Sequence, residues 1–122
     1  MNEVERFERD GLLVTLAVND EEVTITWRGT SDDRNPHVFL TPLLTRLAMR
    51  ATGKRVTVDF RPFEYMNSST VGPLIAFIKT LDGRCSQATL LYDTSLSWQR
   101  VNFRCMRTIA RTLKNVHVEG SS

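Results

Sequence analysis

Hydrophobic and polar positions alternate in the first part of the chain, and the period then becomes helical. Leu12, Val14, Leu16 and Val18 alternate with more polar neighbours, and after Asn19-Asp20-Glu21 the alternation resumes at Val23, Ile25 and Trp27. This pattern predicts a β-hairpin with one face turned to a core. Gly29 to Pro36, rich in Gly, Ser, Asp, Asn and Pro, is a loop by composition, because these residues favour turns and helix starts. From His37 to about Ala51, the residues Phe39, Leu40, Leu43, Leu44, Leu47 and Ala48 fall at helical spacing, with Gly53 placed to end the helix. Pro42 predicts either a kink or a true start near Thr41, where proline would take the tolerated first position.

Val56, Val58 and Phe60 predict a third strand, and Arg61 to Asn67 reads as a connector. A second helix is expected from Ser68 to about Leu81, with Val71, Leu74, Ile75, Ile78 and Leu81 on its apolar face. In the next strand Ala88, Leu90, Leu91 and Tyr92 run together, which predicts burial on both faces. A third helix follows over about Ser97 to Leu113, and Val116 to Val118 leaves room for a short closing strand. The order ββαβαβα, with that optional last strand, implies crossover connections and an α/β fold with a mixed sheet covered by helices.

Composition narrows the class. With 122 residues, 41% hydrophobic and 25% charged, the chain is expected to form one domain, residues 1–122, that buries its own core without disulfides or metal. Met1 to Gly11 alternates acids and bases and lacks the apolar run of a secretory signal, and no stretch reaches the roughly 18 apolar residues of a membrane span. A cytoplasmic protein is the expectation. Cys85 and Cys105 are isolated, form no CxxC and should be reduced thiols. A net charge of +2 is too small to argue for nucleic acid by itself.

The most informative chemistry is Asn67-Ser68-Ser69-Thr70, three hydroxyls at one helix start. Asn67 or Ser68 can serve simply as an N-cap, worth about 1 kcal/mol. The same place also suits a phosphoryl group, because a helix start presents unpaired N–H groups and partial positive charge. Phosphorylation there adds about −1.5 to −2 of charge to a small neutral surface, enough to expel one docked partner or recruit another.

The run from Asp59 through Asn67-Ser68-Ser69 to Leu74 resembles the signature of STAS domains of the anti-sigma factor antagonist type. In those domains a strand ends in an acidic residue, and an Asp-Ser-Ser-Gly or Asp-Ser-Thr-Gly turn then opens a helix. The resemblance implies a STAS-like mixed sheet with helices packed mainly on one side, and Ser68 as phosphoacceptor with Ser69 and Thr70 as alternatives. It further implies a partner bound by the unphosphorylated form, a Ser/Thr protein kinase that is itself the anti-sigma factor, and a PP2C-type phosphatase. Gly29-Thr30-Ser31 through Asn35-Pro36, Phe39 and Pro42-Leu43-Leu44 is similar to SiaC-type regulatory phosphoproteins, which carry Asn-Thr-Ser-Ser at the switch and act on a diguanylate cyclase. Asp32 and Asp33 stand where the STAS resemblance implies an acidic loop, and with Asn67 and the flanking Met66 and Val71 they are the partner-contact candidates. Two positions depart from the common pattern: Asn67 keeps the capping oxygen of Asp but not its charge, and Thr70 stands where Gly is usual.

On the third helix Arg100, Arg104, Arg107, Arg111 and Lys114 form a basic stripe, with Trp98, Val101, Met106, Ile109 and Leu113 expected opposite it. The stripe reads as a solvated face, with an acidic protein surface or weak nucleic-acid contact as the functional alternatives. Only Phe103 interleaves it, so base stacking has little support. His37 and His117 are the only histidines, no metal-ligand spacing occurs, and neither serine sits in a GxSxG elbow. A non-enzymatic chain without cofactor or metal is therefore expected.

Overall fold

The computed structural model describes residues 2–121. The chain runs β1 (Glu3–Arg9), β2 (Leu12–Val18), β3 (Glu22–Ser31), α1 (His37–Arg50), β4 (Arg55–Asp59), β5 (Phe63–Met66), α2 (Ser68–Arg84), β6 (Gln87–Asp93), α3 (Ser97–Ala110) and β7 (Val116–Ser121). The sheet order is β1-β2-β3-β4-β6-β7, with β5 attached to β3 beyond the end of β4. β1, β2 and β3 are antiparallel neighbours, while β3, β4, β6 and β7 are parallel. Parallel pairing forces each connection to return across the sheet, and α1, α2 and α3 make those returns.

Burial alternates along every central strand. Leu12, Val14, Leu16, Val23, Ile25, Trp27, Val56, Val58, Leu90 and Tyr92 are buried, whereas Thr24, Thr57, Thr89 and His117, which align across four strands, lie on the opposite face. The helices cover one face, as the STAS resemblance implies. Leu91 is only half-buried on the far face, so the expectation that β6 is enclosed on both sides is corrected. Trp27, Phe60, Phe63 and Phe103 form the centre of the core, with ring centroids 4.8–6.2 Å apart, and Tyr92 stacks on Phe103. Each such side chain, fully buried, contributes on the order of 1.5–3 kcal/mol.

Two strands lie where sequence reading placed none. The charged segment at the start is β1, whose inward positions Glu3 and Glu5 meet Arg50 and Arg46 of α1. It joins β2 through Asp10 and Gly11, both at positive φ (48° and 89°), the conformation that a two-residue hairpin turn matching strand twist requires. β5 occupies part of the supposed connector and pairs with β3 across a shift at Gly29 and Thr30. Gly29 has φ 80°, and a Cβ there would lie 1.9 Å from the Gly11 carbonyl oxygen, which accepts from the Thr30 amide at 3.0 Å.

The helices also differ in detail. α1 begins at His37 and passes through Pro42, and α2 runs to Arg84 through Pro73. The carbonyls that those prolines leave without a donor belong to Val38 and Ser69, both exposed, where water can substitute. On α3, Val101 is 66% exposed and Phe103 is fully buried, which reverses the sides expected for them. The buried face is Gln99, Phe103, Met106 and Ala110.

Candidate functional site

In an open sheet with parallel strands, the carboxyl ends of those strands form the rim where ligands and partners usually meet the fold. Here the rim carries the ends of β3, β4 and β6 and the starts of the three helices. The helix start at Ser68 is held there by Asn67. Its backbone is extended (φ −79°, ψ 169°), and its side-chain oxygen accepts from the Thr70 amide at 3.1 Å and the Thr70 hydroxyl at 2.8 Å. The amide nitrogen of the same side chain donates to the Asp33 carbonyl at 2.8 Å. Asn67 therefore accepts and donates at once, a combination that aspartate cannot supply, and this explains asparagine at the cap.

The loop after β3 and the start of α2 are laced together at four points. Ser31 pairs with Met66 across β3 and β5, and the Asn67 backbone amide donates to the Ser31 carbonyl at 2.9 Å. The Ser31 and Thr70 hydroxyls share a buried hydrogen bond of 2.8 Å, and the fourth link is Asn67 to Asp33. Buried hydroxyls cost free energy unless paired, and these two satisfy one another.

Ser68 and Ser69 are exposed on the first turn. Thr70, an alternative acceptor by sequence, is fully buried with its hydroxyl engaged, so reaching it requires opening the helix start. Asp32 is exposed, and Asp33, Asn67 and Val71 are half-buried around the same turn. Met66, expected to offer apolar contact, is buried, whereas the adjoining Tyr65 is 48% exposed.

Beside the start of α2 lies a cleft of about 320 Å³, lined among others by Arg9, Asp10, Leu12, Asp32, Asp33 and Phe39. Arg9 stands 6.0 Å over the Phe39 ring and 3.7 Å from the carboxylates of Asp10 and Asp33. Ser31, Arg9 and Asp10 were not singled out from sequence as site residues. Asp10-Gly11 was the available signal, since Asp-Gly between alternating runs marks a tight hairpin.

Further along the rim, Asp59 at the end of β4 accepts from Arg61 through its backbone amide and through Nε and Nη2 of its guanidinium, at 2.9–3.0 Å. Burial pushes the Asp59 carboxyl up, but the Arg61 hydrogen bonds outweigh it and hold the carboxyl below its ordinary value. Asp93 at the end of β6 is likewise held low, chiefly by the Ser95 hydroxyl at 2.6 Å. Gln99, fully buried, ties these ends together: it donates to the carbonyls of Phe60 (2.6 Å) and Phe63 (2.8 Å) and accepts from the Asp93 amide (2.7 Å). Among the described residues no cluster of three or more metal-ligating side chains occurs, and no helix is long and apolar enough to cross a membrane. Cys85 and Cys105 are free thiols, the first buried and the second exposed.

No family model and no curated protein sequence matches the chain. Solved structures do. SiaC of Pseudomonas aeruginosa is similar at a TM-score of 0.58 with 11% identity, over 98% of this chain and 99% of that one. The anti-sigma factor antagonist SpoIIAA, in its unphosphorylated form, is similar at a TM-score of 0.51 with 16% identity, over 98% of this chain and 90% of that one. These likenesses span nearly the whole of both molecules, and the fold is STAS-like of the SiaC type.

Proposed function

We propose that this chain is a non-catalytic, phosphorylation-switched docking module of the anti-sigma factor antagonist kind, working in the cytoplasm, with Ser68 as the residue modified. The observation that carries this reading is the contrast within one turn: Ser68 is open to solvent while Thr70 is sealed beneath it. Ser69 shares the exposure and is the alternative acceptor. The likeness to SpoIIAA, an anti-sigma factor antagonist solved in its unphosphorylated form, supports a two-state protein on this fold.

The physics of the switch is local. In the unmodified state Ser68 itself is uncharged, with Asn67 and Val71 half-buried on the same turn and the exposed Asp32 in the adjoining loop. A phosphoryl group on Ser68 would sit at the positive end of α2, near first-turn amides that lack intrahelical partners. It would bring about −1.5 to −2 of charge onto a surface that already carries Asp32 and Asp33. A partner docked flush on that turn is then displaced, because the new charge would have to be buried beside those carboxylates. The proposed partners are a Ser/Thr kinase of the anti-sigma factor type with a PP2C-type phosphatase, or a diguanylate cyclase as in the SiaC-type subgroup.

The test is fragment mass spectrometry on the chain purified from its native cell, together with Ser68→Ala and Ser68→Asp forms compared for the proteins that co-purify. The reading expects phosphate on Ser68 and a partner retained by the alanine form but lost from the aspartate form. Identical partners for the two forms, with Ser68 unmodified, would leave Ser68 as an ordinary helix-start residue.

A further inference from the structure

Among the described residues Arg9, Arg46, Arg50, Arg55 and Arg61 lie within 4.0 Å of carboxylates, whereas Arg6, Arg28, Arg34, Lys54, Lys79 and Arg84 do not. Among the described residues no carboxylate lies within 4.0 Å of any cation on α3 or just after it. From Ser97 to Lys114 the chain has no acidic residue at all.

One stripe member is spent on structure. The Arg107 guanidinium stands 5.7 Å from the Tyr92 ring centre and donates to the Val118 carbonyl and the Tyr92 hydroxyl. Arg100 is exposed and anchored at one nitrogen to the Thr94 carbonyl, which leaves the rest of its guanidinium outward. Arg104, Arg111 and Lys114 are exposed, and their side chains donate no hydrogen bond among the described residues. Cations on successive turns of one helix repel, and a surface helix with no other role would ordinarily intersperse glutamates.

Next to this basic ridge runs a second one. Val101, 66% exposed, continues at helical spacing through Cys105, Thr108 and Thr112, all exposed and uncharged. We propose that this face of α3 docks an acidic amphipathic helix of a protein partner. Its carboxylates would meet Arg104 and Arg111, and its apolar edge would lie along Val101 and Cys105. Both α-helices repeat at the same pitch, so carboxylates spaced by two turns can match Arg104 and Arg111, which stand seven residues apart. Single-stranded nucleic acid fits less well, because its bases stack on aromatic side chains that this face does not offer. Phe103 is in the core, and Trp98 packs edge-on against Phe63 at 5.5 Å. The face is independent of the Ser68 reading and stands whether or not that serine is modified.

The probe is a fluorescein-labelled helical peptide of about 20 residues with Glu at one-turn intervals beside a Leu edge, titrated into the full chain. A scrambled peptide of the same composition and a duplex DNA of about 20 base pairs serve as comparisons. The patterned peptide is expected to bind at least about fivefold more tightly than the scrambled one and than the duplex at the same salt. Arg104→Glu with Arg111→Glu, and separately Val101→Asp, should each weaken it about tenfold, with circular dichroism unchanged because all three positions are exposed. Equal binding of patterned and scrambled peptides, tighter binding of the duplex, or indifference to these substitutions would overturn the proposal.

Discussion

The hydroxyls of Ser31 and Thr70, 39 positions apart in sequence, share a buried hydrogen bond of 2.8 Å that joins the end of β3 to the first turn of α2. Thr70→Val keeps the shape of the side chain but strands the Ser31 hydroxyl and frees one of the bonds to Asn67. The expected loss is about 1–3 kcal/mol in urea unfolding, the cost of leaving a buried polar group unpaired. Adding Ser31→Ala should restore part of it, because a pair replaced by apolar groups leaves nothing unsatisfied. Additive losses in the double variant would show that the two hydroxyls do not depend on one another.

Asn67 both caps α2 and holds the Asp33 carbonyl. Asn67→Asp retains the capping oxygen but loses the donor, and it sets a carboxylate against a carbonyl. Asn67→Ala loses both interactions. Each substitution should destabilise, the alanine form by about 0.5–2 kcal/mol for the cap alone. Hydrogen exchange should show faster opening of residues 32–35 in the Asp form, while the amides in the middle of α2 keep their protection. Unchanged exchange in that loop would remove the tether from the account.

The fully buried Gln99 satisfies two carbonyls and one amide at the ends of three strands. Gln99→Leu fills the space yet removes the Gln99 partner of the Phe63 carbonyl and the Asp93 amide, while the Phe60 carbonyl keeps the Phe63 amide at 2.9 Å. The loss should reach about 2 kcal/mol or more, since each buried orphan costs about 1–3 kcal/mol. Thermal unfolding by calorimetry measures it; a loss within experimental error would mean that water reaches those groups.

Acid should destabilise the fold through three carboxylates. Glu5 is held low chiefly by its hydrogen bond from Arg46; Asp59 is held low by Arg61 against burial; and Asp93 is held low chiefly by Ser95. A folded-state pKa below the unfolded one stabilises fully above the ordinary values, 3.8 for Asp and 4.5 for Glu, and that share is lost as pH falls through the folded values. Tm should therefore drop between about pH 5 and about pH 3, and Asp59→Asn should make the drop shallower. An identical pH profile for that variant would exclude Asp59 as a contributor. Glu5 and Asp93 lie at the surface, so salt should weaken their share.

How far this could be read from sequence depended on whether the inward positions were apolar. Those of β2 and β3 are, and the hairpin was legible. β1 has the same period, but its inward positions include Glu3 and Glu5, which are tolerated because Arg46 and Arg50 arrive from α1. No local rule supplies those partners. Leu91 misled in the opposite direction, an apolar residue on the helix-free face of β6. On α3 a buried glutamine sits where the apolar template expects a leucine, which shifted the inferred core face and exchanged the places of Val101 and Phe103. At the site, the Asn67 cap was legible because Asn-Ser-Ser-Thr precedes an apolar helical run. The role of Ser31 was not, since it arises from a contact that only the folded topology creates.

Gly11 and Gly29 touch backbone to backbone, with no room for even a methyl group between them. The first hairpin can therefore keep its seat on the sheet only while position 29 stays glycine, since the carbonyl it meets belongs to the backbone of position 11 whatever residue stands there. In descendants of this chain, loss of Gly29 should coincide with redesign of the whole leading ribbon.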